Sequence, residues 1–107
     1  MIAVIFEVWP QDGRLDEYLD IAHGLRAELE QVDGFISIER FTSMYEEGKL
    51  LSLSFWRDED AVKAWREQAN HRAAQARGRS ELFDDYRLRI ANVLRDYGPS
   101  ERDQAPK

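Results

Sequence analysis

The sequence predicts an α+β fold of the ferredoxin-like type, β-α-β-β-α-β, with a four-stranded antiparallel sheet and both helices on one face. Three observations point there. Runs rich in β-branched and aromatic residues at 2–9, 35–44, 49–56 and 85–97 read as strands. Between the first and second runs, and again between the third and fourth, apolar residues recur at the period of a helix. Between the second and third runs stands only the turn Tyr45-Glu46-Glu47-Gly48, which suits a hairpin and is too short for a helix.

Each element follows in order. Residues 2–9 (IAVIFEVW) stop at Pro10, which has no N–H to donate to a continuing ladder, and Gln11-Asp12-Gly13 turns the chain. From 14 to 32, Leu15, Tyr18, Leu19, Ala22, Leu25, Leu29 and Val32 form one apolar stripe on a helix roughly 28 Å long. Asp33-Gly34 ends that helix, with the glycine where a left-handed cap is needed. After the hairpin, Asp58 or Asp60 caps a second helix whose inward residues are Ala61, Val62 and Trp65. Asn70 is expected to break it briefly before a further helical piece through Ala76. Residues 77–80 read as a connector, Leu82-Phe83 as a last turn, and 85–97 as a long final strand. The domain is thus expected at 1–97, followed by a disordered polar tail at 98–107.

Composition narrows the function classes. With 43% apolar and 11% aromatic residues, the 107-residue chain supports one domain with one core. A formal charge of −6 argues against nucleic acid and anionic membranes as partners, since both reward a basic surface. The absence of cysteine excludes disulfides, thiolate catalysis and sulfur-ligated metals, and fits a cytoplasmic protein. The N-terminal apolar run is short and interrupted by Glu7, so it reads as a strand and not as a signal or membrane span.

The strands are apolar on both faces. Ile2, Val4, Phe6 and Val8 oppose Ala3, Ile5 and Trp9, while Leu51, Leu53 and Phe55 oppose Leu50 and Trp56. Two helices cover one face, and the other would leave a large apolar patch in water. A homodimer packing sheet against sheet removes that exposure; burying ~600 Å² of apolar surface contributes on the order of 15 kcal/mol before association costs. Glu7, the lone charge of its strand, is expected to pair with Arg87, Arg89 or Arg40 across the sheet.

Several side chains carry possible chemistry, each beside an ordinary structural role. His71 titrates near neutral pH and suits a general base, or else is a solvated histidine at a helix end. His23 reads as solvated. Trp65 and Trp56 would stack on a planar ligand, or simply fill the core. Tyr86 would donate to a developing oxyanion, or bond to backbone. Phe6 and Phe83 are further candidates for substrate contact, and Arg79 for closing over a carboxylate or phenolate. Asp58-Glu59-Asp60 reads as helix-capping charge and not as a metal site.

The opening IAVIFEV, the strand DGFISIERF, LSFW followed by acidic residues and a helix bearing Trp65, the segment NHRAAQARGR, and DYRLRIANVLRDYG together resemble the antibiotic biosynthesis monooxygenase superfamily over residues 2–97. The resemblance implies a dimeric α/β barrel and an oxygenase acting without a bound cofactor on an electron-rich aromatic or polyketide-type molecule. Its catalytic group would comprise His71, Trp65 and Tyr86. The superfamily also contains haem-degrading members, which implies an alternative with haem as cofactor and His71 as its ligand. That branch's first-strand asparagine falls at Phe6 or Glu7, neither an asparagine, and His71 comes about one turn early, the better-aligned position being near Gln75, which cannot ligate haem in the usual way. A non-enzymatic dimer that binds a small ligand is the third reading.

Overall fold

The computed structural model describes residues 1–75 and 82–106, with side chains for 1–68 and 82–106. The elements run β1 (Ile2–Pro10), α1 (Leu15–Leu29), β2 (Phe35–Thr42), β3 (Leu50–Trp56), α2 (Glu59–Gln75) and β4 (Phe83–Asn92). The strands form one antiparallel sheet in the order β2-β3-β1-β4, which is the ferredoxin-like arrangement. His71 lies in α2 with its side chain outside the described residues, and Arg79 lies outside them altogether.

Several boundaries differ from expectation, and β2 ends at Thr42 instead of Met44. Helix α1 stops at Leu29, and Val32 belongs to a tight turn in which its N–H donates to the Leu29 carbonyl at 3.1 Å. Helix α2 passes through Asn70 without a break. Strand β4 begins at Phe83 and ends at Asn92, because Asn92 pairs with Ile2 and β1 offers no partner beyond; one last bond joins the Val93 N–H to the Met1 carbonyl.

The register decides which face the helices cover. Ile2, Val4, Phe6 and Val8 of β1 sit beside Trp56, Ser54, Ser52 and Leu50 of β3, and beside Asn92, Ile90, Leu88 and Tyr86 of β4. This face carries two clusters. One joins buried Leu29, Trp56, Ala61 and Val62 with Ile2, Val4, Val32, Phe35, Ile38 and Trp65. The other joins Val8, Tyr18 and Leu50 with Phe6 and Phe83. Of the predicted α1 stripe, Tyr18, Ala22 and Leu29 are buried while Leu15 and Leu19 remain exposed. The opposite face presents Ile5, Leu51, Leu53 and Phe55, partly covered only by their neighbours, with Phe41 exposed beside them. At its end Glu7 bridges Lys49 at 3.5 Å and Arg89 at 3.4 Å, which realises the expected cross-strand pair.

A polar clasp fixes where α2 leaves the sheet. Arg57 donates from Nη1 and Nη2 to both Asp33 oxygens, at 3.1 and 3.2 Å, and from Nε to Asp58 Oδ2 at 3.0 Å. Asp58 Oδ1 accepts the Ala61 N–H at 2.9 Å and so caps α2, as one of the two expected residues. Gly34, at φ +93°, closes the turn between them: a Cβ there would lie 2.8 Å from the Ala61 Cβ, and its carbonyl accepts the Arg57 N–H at 2.7 Å. The Arg57 hydrogen bond, chiefly, holds the Asp33 carboxyl below the usual carboxylate range; for Asp58 the Ala61 N–H is the larger cause and Arg57 the next.

Because both folded pKa values are depressed, the clasp's contribution to stability is complete above the unfolded carboxylate value and is lost as pH falls through the lower folded one. In thermal melts, Asp58→Asn is expected to fall below the parent at about pH 6, and the gap to narrow below about pH 4. Salt is expected to shrink the gap further, since the groups are exposed. A gap independent of pH would remove the clasp from the account.

Candidate functional site

Three of the residues singled out in the sequence come together on the helix-covered face where β1 and β4 meet α1. The Phe6 and Phe83 rings lie 5.9 Å apart, edge to face; Phe6 and Tyr86 lie 5.8 Å apart, and Phe83 and Tyr86 6.3 Å. Tyr18 of α1 joins them, its ring 5.4 Å from Phe83 at a steep angle. Such edge-on contacts hold aromatic rings in fixed relative positions. The group grades from closed to open: Tyr18 is buried, Phe6 and Phe83 are half-buried, and Tyr86 is 60% exposed. Leu88 and Ile90, next on the same face of β4, are 41% and 40% exposed. An edge strand therefore carries a row of apolar side chains that the two helices leave partly uncovered.

The other candidates sit elsewhere. Trp65 is half-buried on α2 and packs on the cluster around Trp56. Trp56 is only 2% exposed; its ring stands edge-on to Phe35 at 5.3 Å and its indole N–H donates to Ser54 Oγ at 2.9 Å. With no free face it serves the core, and a direct stacking role on a ligand is set aside for that reason. His71 and Arg79 fall where side chains are not described. His23 is exposed on α1, as its pattern suggested.

Sequence reasoning missed Tyr18 as part of this group, because the helical stripe marked it only as core. It also missed the exposed row of Leu88 and Ile90, since alternation alone does not tell which edge strand the helices fail to cover. A separate depression of about 470 Å³ lies at the β2 edge, lined by Arg26, Ser37, Ile38, Glu39, Arg40, Leu53 and Phe55. It takes residues from both sheet faces around an open edge and includes none of the predicted site residues. Among the described residues, no group of three or more His, Asp or Glu side chains is gathered to hold a metal ion, and no helix is long and apolar enough to cross a membrane.

Comparison with known proteins adds to this geometry. The sequence profile of the family described as antibiotic biosynthesis monooxygenase matches residues 1–77. The chain is 50% identical over 93 residues to a protein of Pyricularia oryzae named jasmonate monooxygenase ABM, a match covering 87% of this chain and 43% of that protein. The chain spans about half the length of the curated relatives it matches, 43% and 53%. Its fold is similar to that of SnoaB from Streptomyces nogalater, a cofactor-independent oxygenase, with TM-score 0.73 and 12% identity over 89% of this chain and 94% of the other. It is equally similar to the haem-degrader MhuD from Mycobacterium tuberculosis, with TM-score 0.73 and 18% identity over 92% of this chain and all of the other.

The division between core and open aromatic residues has a measurable consequence. In urea unfolding, Trp56→Ala is expected to cost about 3–5 kcal/mol. Tyr86→Ala is expected to cost less than about 1.5 kcal/mol, because little of its surface is buried. Equal losses would place Tyr86 in the core and close the site.

Proposed function

The chain belongs to the antibiotic biosynthesis monooxygenase family, and on that footing we propose that it is a cytoplasmic, homodimeric monooxygenase that oxidises a small, largely apolar molecule without a bound cofactor. The observation that carries this reading is the half-open Tyr86 beside Phe6 and Phe83 on the helix-covered face. A ring of the substrate lies along these residues, and Arg79 is the candidate partner for a carboxylate or phenolate.

Dioxygen is a triplet, so it reacts slowly with closed-shell molecules unless they give up one electron easily. Deprotonation next to a carbonyl makes an electron-rich anthrone-type or polyketide-type substrate such a donor. His71 takes that proton and Tyr86 donates a hydrogen bond to the enolate oxygen. The overall change converts CH₂ and O₂ into C=O and H₂O, with the substrate supplying all the electrons. No external reductant enters. Exclusion of water from the aromatic wall protects the anion. Haem is the rival cofactor; His71 is the residue that would hold its iron, and haem would then supply the activation of dioxygen.

The test is oxygen uptake with anthrone, hydroquinones and jasmonate. Jasmonate is assayed with and without ascorbate, because inserting oxygen into an unactivated C–H bond consumes two further electrons. His71→Ala is expected to lower kcat about 100-fold or more and to abolish the acidic limb of the pH profile. Tyr86→Phe is expected to lower kcat while leaving the fold intact. A Soret shift on haem titration that His71→Ala removes would replace this reading with haem chemistry. Silence on every substrate would favour a ligand-binding dimer.

The second copy belongs on the uncovered face, where Ile5, Leu51, Leu53 and Phe55 form an apolar centre and Glu7, Lys49 and Arg89 a charged margin. Sedimentation at micromolar concentration is expected to give a dimer, and Leu53→Asp a monomer. A monomeric parent would overturn the pairing.

A further inference from the structure

Phe83 and Tyr86 are three residues apart in β4, and strict alternation would put them on opposite faces of the sheet. They share one face because the register slips. Val8 pairs with Tyr86 and Trp9 with Asp85, but Pro10 pairs with Phe83, so Asp84 has no partner in β1. The slip falls opposite the one residue of β1 that lacks an N–H, where a regular ladder is interrupted in any case. The chain then rejoins through the Gln11 N–H, which donates to the Leu82 carbonyl at 2.7 Å.

The slip gives the exposed row of β4 a closed end. Tyr86, Leu88 and Ile90 alternate along a strand, so the row is about 13–14 Å long. At its Tyr86 end stands Phe83, gripped by Tyr18, with Val8 and Leu50 buried behind. Resting on the site reading above, we propose that Phe83 is a specificity-determining residue: held by the unpaired Asp84 and by Tyr18, its ring stops a rod-shaped apolar ligand lying along Tyr86, Leu88 and Ile90. The ligand class that fits is a flat or extended apolar molecule with one end seated against Phe83.

Two rigid fluorescent rods that differ by one ring test this by direct binding: biphenyl-4-carboxylate and p-terphenyl-4-carboxylate, the acid serving for solubility. The parent is expected to prefer the shorter rod. Phe83→Ala should move the ratio of the two Kd values about tenfold toward the longer rod. Phe83→Trp, which keeps the end filled, should move it the other way. Deleting Asp84 leaves Phe83 opposite Pro10 in a regular ladder, on the same face as Tyr86, and should leave the ratio unchanged. Tyr18→Phe keeps the ring contact and should leave the ratio unchanged.

A ratio that neither Phe83 substitution moves overturns the proposal, as does a parent that binds neither rod. The binding readout needs no turnover. A shifted ratio in a protein that takes up no oxygen supports the stop and rejects the oxygenase reading. Oxygen uptake with an unmoved ratio does the reverse.

Discussion

A four-stranded sheet has two faces, and this chain has two helices, both on the same one. Everything else in the structure follows from how that single cover is distributed. Over β3 and β1 it is thick enough to bury Trp56, Val8 and Leu50. Over the edge strand β4 it thins, so Tyr86, Leu88 and Ile90 remain partly in water although their face is the covered one. A gap between helices and edge strand is a common place for a ligand, because its floor is rigid backbone and its walls are side chains. The opposite face, which neither helix covers, holds Leu51, Leu53 and Phe55 of β3.

The cover is held at one corner by charge. Asp33, Arg57 and Asp58 tie the end of the α1–β2 turn to the start of α2, and Gly34 lets the two approach within van der Waals distance. Exposed ion pairs contribute little to stability individually. Their value here is geometric: the bidentate grip and the Ala61 cap together fix the direction in which α2 departs.

Much of this was legible in the sequence because the signals were local. The hairpin, the Asp58 cap and the glycine at 34 each depend on a few neighbouring residues. What escaped depended on partners distant in sequence. The apolar pattern of β3 would favour Leu51, Leu53 and Phe55 as the helix-facing set, yet Leu50, Ser52, Ser54 and Trp56 take that role. Ser54 is there because the Trp56 indole needs an acceptor in a buried place. Asn92 ends β4 for a reason that lies in β1, and Asn70 failed to break α2 because a weak helix former is overridden by the turns on either side. Of the candidate residues, Phe6, Phe83 and Tyr86 stand together, although alternation alone would have separated the last two.

That separation shows why the aromatic wall depends on backbone register more than on side-chain choice. Replace Pro10 with a residue that donates an N–H, and nothing in β1 would oppose a regular ladder with β4. Asp84 would then pair, Phe83 would turn to the uncovered face, and Tyr18 would lose its edge contact. The sheet would be more regular, and the row on β4 would be open at both ends. A flexible loop could also place a phenylalanine at this point, but it would not hold the ring to one position. A one-residue slip inside a hydrogen-bonded strand does so, because the pairs on one side of it, Trp9 with Asp85 and Val8 with Tyr86, and the Gln11–Leu82 bond on the other leave Phe83 only one face to occupy. The irregularity of the strand is therefore the feature that fixes Phe83 at the end of the aromatic group.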